Sequence, residues 1–269
     1  KTPEESLQIW DKNQVLADVV WAIRRFQPDV IVTRFPGPEK GGGGHGHHTA
    51  SFMLAREAFD LSNDPNAFPE QLEFVSPWQP KRLLWNTWRP HHDDTEQVIN
   101  VDTGEFNPVL GRSYGEIASL ARSQHRCQAF GAALIRGTRF EYMVHEKGDQ
   151  AEGDLFDEIS TSWDRIKGGA EVGRYLQEAF ENFNIMQPQK SVPTLLKAYQ
   201  AMEGKTDYWY QVKREELKWA IAYCSGMWFE AISDVPIRAI GDSVTLTAQV
   251  LKRLDIPVKL TSVTFQNIG

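Results

Sequence analysis

The sequence predicts an α/β protein in which an open sheet with flanking helices is followed by a helical section and the start of a β-sandwich. Three observations carry this reading. An amphipathic helix pattern runs into the apolar, β-branched stretch "DVIVTRF" (residues 29–35), and a loop and a second helix pattern follow it. All seven histidines lie between His45 and His145, while residues from about 165 onward are helix-like and free of histidine. From Val235 the pattern changes again to alternating apolar and polar residues.

The elements follow in order. Thr2 is an N-cap candidate, Pro3 suits the first helical position and Glu5 completes a capping box. Leu7, Trp10, Leu16, Val19, Val20 and Ile23 then recur at helical spacing, so one long helix is predicted up to the break at Pro28. "DVIVTRF" reads as a buried strand of a parallel sheet. The tract "EKGGGGHGHH" (residues 39–48) comes next, and helical character resumes from about His48 to Phe59, with Phe52, Ala55 and Phe59 on one side. In open α/β sheets ligands bind beyond the carboxyl ends of strands, which places Thr33, Arg34 and the histidine loop in the functional region. "KRLLWNTW" (81–88) is a second strand, ending in the polar "RPHHDDTEQ". "SYGEIASLARSQHRCQAFGAAL" (113–134) is a helix capped by Ser113, and "RFEYMVHE" (139–146) a further strand. "AEVGRYLQEAFENF", "SVPTLLKAYQAM" and "DYWYQVKREELKWAIAYCSGMWFEAI" are helical, and "GDSVTLTAQVLKRLDIPVKLTSVTF" is a hairpin turning at "RLD". The predicted domains are therefore 1–147, 148–234 and 235–269.

Composition narrows the function classes. The 269 residues are 41% hydrophobic, enough for a sizeable core, and the formal net charge of -7 without any basic block argues against a nucleic-acid partner. No apolar run approaches the roughly 20 residues that span a bilayer, and the first residues lack the apolar segment of a signal peptide. The amphipathic start without an initiating Met is expected of an excised piece of something longer. Only Cys127 and Cys224 occur, far apart, so neither a disulfide framework nor a thiolate zinc site is signalled, although a single bridge stays open.

Four glycines ahead of His45, His47 and His48 pose the main question. Either this is a flexible loop that happens to be rich in histidine, or it is a metal-site loop needing backbone freedom; the histidine spacing alone forms no strong zinc signature. "PDVIVTRFPGPEKGGGGHGHHTAS" resembles the PIG-L/LmbE-like N-acetylglucosaminyl de-N-acetylases, in which a strand leads to a G-H-P-D-H-x-A-(S/T) loop. "EIASLARSQHRCQAFG" is similar to the later family helix carrying H-x-S-Q, with Cys127 in place of Ser. The resemblance covers about residues 4–145 and implies a Rossmann-like open sheet of the LmbE type, incomplete at its N-terminus. It implies a metal-dependent hydrolase, with Zn2+ or another divalent ion, that removes acetyl from an N-acetylated sugar such as an N-acetylglucosamine conjugate.

By position, His48 matches a metal ligand and His45 the histidine that stabilises the oxyanion and protonates the leaving amine. His47 stands where the family has Asp, and its expected role is to orient His45. The family's A-H-P-D-D-E motif, which supplies two further ligands and the general base, has no match before His45; the expectation is that it lies upstream and that this chain alone is inactive. "RPHHDDTE" resembles that motif superficially but in the wrong order, so His91, His92, Asp93 and Asp94 are either ligand or substrate contacts or a solvated loop.

The remaining candidates each have a plainer reading. Arg34 at the strand end contacts substrate or pairs with a surface carboxylate; Asn86 hydrogen-bonds a sugar or faces outward; His125 contacts substrate or makes an ordinary helix hydrogen bond. The tryptophans read mainly as core packing rather than as a sugar-stacking platform. Gly41–Gly44 are expected to form a lid over the site. From a different class comes a non-catalytic carbohydrate-binding or scaffolding protein that keeps the fold. A β-sandwich tail favours an exported protein, periplasmic or extracellular, by analogy of fold.

Overall fold

A computed structural model of the chain describes residues 2–87, 96–128 and 131–265. It divides into two compact units, Lys1–Ile159 and Ser160–Gly269.

The first unit begins with α1 (Pro3–Trp10), whose first turn is capped by Thr2 Oγ1 accepting the Glu5 amide at 3.2 Å. The single long helix predicted here is two. Asp11 adopts φ 59°, and its carboxylate accepts the Gln14 amide, so the residue that interrupts α1 also starts α2 (Lys12–Phe26). Asp tolerates this left-handed backbone better than most residues and is a strong N-cap, whereas the apolar spacing on either side carries no trace of the break. Gln27, also left-handed, closes α2 just before Pro28.

Strand β1 (Val30–Thr33) leads through the glycine loop to α3 (Gly46–Leu61). Then come β2 (Arg82–Thr87), β3 (Val98–Asp102), the two-residue strands β4 (Phe106–Asn107) and β5 (Arg112–Ser113), α4 (Tyr114–Arg122) and β6 (Phe140–Gly148). The main sheet has the order β1-β2-β6-β3. Only β1 and β2 are parallel, with Val30 opposite Arg82; β6 runs antiparallel to both β2 and β3. The fold is thus α/β with an open mixed sheet, where a parallel one was expected. β3 has no counterpart among the predicted elements, although "VINVD" places Ile99 in the core and Asn100 in solvent. The predicted helix 113–134 has its full capping box, with Ser113 and Glu116 exchanging bonds, but stops at Arg122.

Successive strand residues point to opposite faces. Ile31 packs with Leu16, Val20, Ala50, Leu54 and Ala58 of the helical layer, while Val30 joins Leu84, Ile99, Met143, Ala151 and Leu155. Arg24 is the polar element of the first layer. Its side chain is 1% exposed and donates to the carbonyls of Leu61, Ser62, Asp64, Ala67 and Phe68 and to Gln71 Oε1 at 2.7–3.3 Å. Gln71 in turn donates to the Ala17 carbonyl at 2.8 Å, tying the loop back to α2.

The second unit contains α5 (Ala170–Glu181), α6 (Val192–Ala201) and α7 (Tyr208–Cys224), packed around Val172, Leu195, Ala198, Met202 and Tyr210. Here the predicted last helix is too long. Gly226, at φ 63°, turns the chain after α7, and "MWFEAIS" becomes β7 (Met227–Ser233). It pairs antiparallel with β8 (Leu246–Lys252), so the hairpin partner of β8 precedes it and does not follow "RLD". Cys127 and Cys224 are both free thiols, and burial pushes the Cys224 thiol up.

Replacing Arg24 by Met would remove the donor to Ala67 O and Gln71 Oε1 and the second donor to the carbonyls of Leu61, Ser62, Asp64 and Phe68, each of which keeps a backbone N–H. The expected loss is about 3 kcal/mol of unfolding free energy, read from urea denaturation; a loss below about 1 kcal/mol would show that the guanidinium is not what holds this loop.

Candidate functional site

The site is built at the junction of β1, the glycine loop and α3. Phe35 follows the strand, and the His48 ring lies flat on it, with centroids 3.9 Å apart and planes 5° from parallel. His48 Nδ1 is 3.0 Å from the Gly43 carbonyl, and the Gly43 amide donates to Thr49 Oγ1 at 2.9 Å. The first turn of α3 therefore grips the loop that precedes it.

Two glycines have specific steric reasons. A Cβ at Gly43 would lie 2.4 Å from His48 Cβ and 2.9 Å from Phe35 Cγ, and Gly42 has φ 62° with its would-be Cβ 2.6 Å from Thr49 Oγ1. Gly41, Gly42 and Gly44 have positive φ, and Gly42 and Gly43 stand where a side chain would collide, so the tract uses its glycines for left-handed backbone and close approach, as expected. Its entry is also pinned. Lys40 Nζ lies 2.5 Å from Glu146 and 2.6 Å from Glu96. Burial would lower the Lys40 ammonium, but its hydrogen bonds and attraction to Glu146 and Glu96 win and raise it.

Three imidazoles converge on this turn. His45 is the N-cap residue of α3, with extended backbone and no side-chain capping bond, and His47 and His48 fall in the first helical turn. Ring centroids are 5.7 Å apart for His45 and His47, 5.3 Å for His45 and His48, and 4.2 Å for His47 and His48. His45 and His47 are exposed, while His48 is half-buried. The helix start adds partial positive charge, which favours an anionic ligand or developing oxyanion.

Arg34 and Asn86 are also brought together, at the ends of β1 and β2, through a residue the sequence reading missed. Glu141 on β6 accepts from Asn86 Nδ2 at 2.9 Å and from Arg34 Nη1 at 3.2 Å, and Arg34 Nη1 also donates to Asn86 Oδ1. Glu141 is the one acidic residue of "FEYMV", and that isolated charge in an apolar strand was the available signal. His125 is not drawn into the cluster: it is exposed, beyond the end of α4, with its amide bonded to the Arg122 carbonyl. His91, His92, Asp93 and Asp94 lie outside the described residues.

Whether a metal suits this site can be tested on His48. Ligating histidines commonly give their second ring nitrogen to a backbone carbonyl, which fixes the tautomer and leaves the other nitrogen as donor. With Nδ1 on the Gly43 carbonyl, His48 Nε2 meets that condition. A catalytic zinc takes three protein ligands, and among the described residues no group of three or more His, Cys, Asp or Glu side chains is placed to hold one. His48 fits as one ligand of a set, not as the set.

Comparison with protein families, curated proteins and solved structures finds no match.

Elsewhere in the unit, His145 Nδ1 on β6 is buried and has no hydrogen-bond partner among the described residues; burial, then the charges of Arg82 and Lys40, lower its pKa below the usual 6.5 against the opposing effect of the Gly148 backbone. The unfolded chain therefore takes up this proton at higher pH than the folded one. The stability contributed is present above 6.5 and is lost as pH falls through the lower folded value. His145→Gln should flatten the decline of the urea midpoint below pH 6.5; an unchanged slope would contradict this. Gly43→Ala should displace the His48 ring and cost about 1–3 kcal/mol through overpacking, measured by denaturation together with loss of the His48 to Phe35 ring-current shift.

Proposed function

We propose that the chain forms part of a metal-dependent N-deacetylase, using zinc or another divalent ion, that acts on an N-acetylated sugar of the N-acetylglucosamine type. The observation that carries the reading is the His48 ring, oriented by the Gly43 carbonyl and by Phe35 at the end of a β-strand. The motif resemblance supplies the reaction class. The remaining ligands would come from outside the described residues.

When bound, the metal would supply Lewis-acid polarisation of the amide carbonyl and activation of water. The residues of this chain do the rest. His48 presents Nε2 as a ligand of fixed direction. His45, exposed at the helix start and 5.3 Å in centroid distance from His48, can donate to the carbonyl oxygen as charge develops and pass a proton to the departing amine. His47 packs at 4.2 Å against His48 and holds the pair in place. Arg34 and Asn86, fixed by Glu141, offer a polar rim for sugar hydroxyls.

The 269-residue chain should bind zinc weakly and release no acetate from N-acetylglucosamine conjugates. Chelator-sensitive release by the chain alone would overturn the view that its ligand set is incomplete. In a protein joining this chain to an A-H-P-D-D-E segment, His45→Ala should lower kcat about 100- to 1000-fold with little change in KM, and His47→Ala should do less. Equal losses would mean the roles are assigned wrongly, and no activity in any form would favour the non-catalytic carbohydrate-binding reading.

A further inference from the structure

In the first unit, residues 149–159 follow β6 as irregular chain without helix or strand. They contribute Ala151, which is buried, and Leu155 to the cluster of Val30, Leu84, Ile99 and Met143 on one face of the main sheet. Their ties to that sheet are light. The Asp149 amide donates to the Lys81 carbonyl at 2.8 Å, Gln97 Nε2 donates to the Ala151 carbonyl, and Arg82 Nη2 donates to the Asp157 carbonyl at 2.7 Å. Lys81 and Asp149 add an ion pair in which both side chains are exposed, and such pairs contribute little.

The polar groups on this face are poorly satisfied. Arg82 is fully buried, and its Nε and Nη1 have no hydrogen-bond partner among the described residues; the same holds for Gln97 Oε1 and His145 Nδ1. His145 lies opposite Leu84 of β2, and Met143, two residues before it, belongs to the cluster that Ala151 and Leu155 complete, so the imidazole is on the same side of the sheet as residues 149–159. The charged groups that act on it are Arg82 from β2, Lys40 from the entry of the glycine loop and Asp149 from the segment itself. Lys40, held by Glu96 and Glu146, stays an ammonium. A proton on His145 would therefore set a further positive charge beside Arg82 and Lys40, with Asp149, already paired with Lys81, to oppose it.

We propose that residues 149–159 form a strap that opens in weak acid, with His145 as its trigger. Opening lets water reach Arg82 Nε and Nη1 at any pH, which favours it, while the apolar contacts of Ala151 and Leu155 oppose it. Protonation of His145 tips this balance, because a charged imidazole is disfavoured under the strap and ordinary in water. The sign follows from the lowered pKa of the closed state: the closed form has its full advantage above 6.5 and loses it as pH falls through the lower value. Asp157 does not act in this range. Its carboxylate accepts the amides of Gly153, Asp154 and Glu152, which hold its pKa below the usual 3.8, so it stays ionised while His145 titrates. The open form uncovers the apolar surface of Leu84, Ile99 and Met143.

The test is hydrogen exchange of the full chain, read by mass spectrometry at several values between about pH 8 and about pH 5, with exchange times scaled for the change in intrinsic rate. Protection of residues 149–159 should fall about tenfold or more toward the acid end, while residues 46–61 of α3 keep theirs. His145→Gln should hold the strap closed across the range, and Asp157→Asn should leave the acid loss in place. Protection of α3 also reports whether each variant is folded. If His145→Gln is not, the wild-type protein decides, since the loss of strap protection and the titration of the His145 ring, followed by its carbon resonances, should share one midpoint. Unchanged strap protection in acid, an equal loss in α3, a loss that persists in folded His145→Gln, one abolished by Asp157→Asn, or a midpoint apart from that of His145 would each overturn the proposal.

Discussion

The first unit depends on one buried guanidinium. Arg24 is charged at any accessible pH, and burial alone lowers its pKa, so it is tolerated inside only because oxygen acceptors surround it. Those acceptors are not scattered. The carbonyls of Leu61 and Ser62 belong to the carboxyl end of α3, where the negative end of the helix dipole attracts a cation. The carbonyls of Asp64, Ala67 and Phe68 belong to the loop that follows. A single side chain of α2 thus fixes where α3 ends and how the chain leaves it.

Because a helix is stiff, fixing one end aims the other. The amino end of α3 carries His45, His47 and His48, and the glycine loop closes onto it through Thr49 Oγ1 and the Gly43 carbonyl. Lys40, held between Glu96 and Glu146, anchors the loop to β6 and its surroundings. The order of causes is therefore Arg24, then α3, then the imidazoles. Apolar burial of Val20, Ala50, Leu54 and Ala58 supplies the driving force, while these polar ties supply direction.

Much of this was legible. The strand, glycine loop and helix around residues 30–61 announce themselves by an apolar β-branched run, by glycines and by helical spacing, since all three signals are local. The Ser113 cap, α5 and α6 are local too. What was not legible depends on partners far along the chain. An apolar run does not say whether its neighbour runs parallel or antiparallel, so the mixed sheet was invisible. The stretch "MWFEAI" reads as the end of α7 until its pairing with Leu246–Lys252 is known. Asp11 breaks a helix whose apolar faces continue on both sides. Arg24 and Glu141 look like ordinary surface charges, and their roles come from acceptors or donors at least 37 residues away for the first and 55 for the second. At the site, the histidines could be named and the glycines assigned to left-handed backbone and close approach, but not the neighbours that require them: His48 Cβ and Phe35 at Gly43, and Thr49 at Gly42.

The central claim is that the fold presents His48 Nε2 as a ligand by holding Nδ1 on the Gly43 carbonyl. Long-range nitrogen–proton correlation spectra of the labelled chain, recorded with and without zinc, test it directly. The account predicts His48 as the Nδ1-protonated tautomer, with its Nε2 resonance shifting as zinc is added and its Nδ1 proton retained. A His48 found as the Nε2-protonated tautomer, or one left unshifted by zinc while His45 and His47 respond, would contradict it.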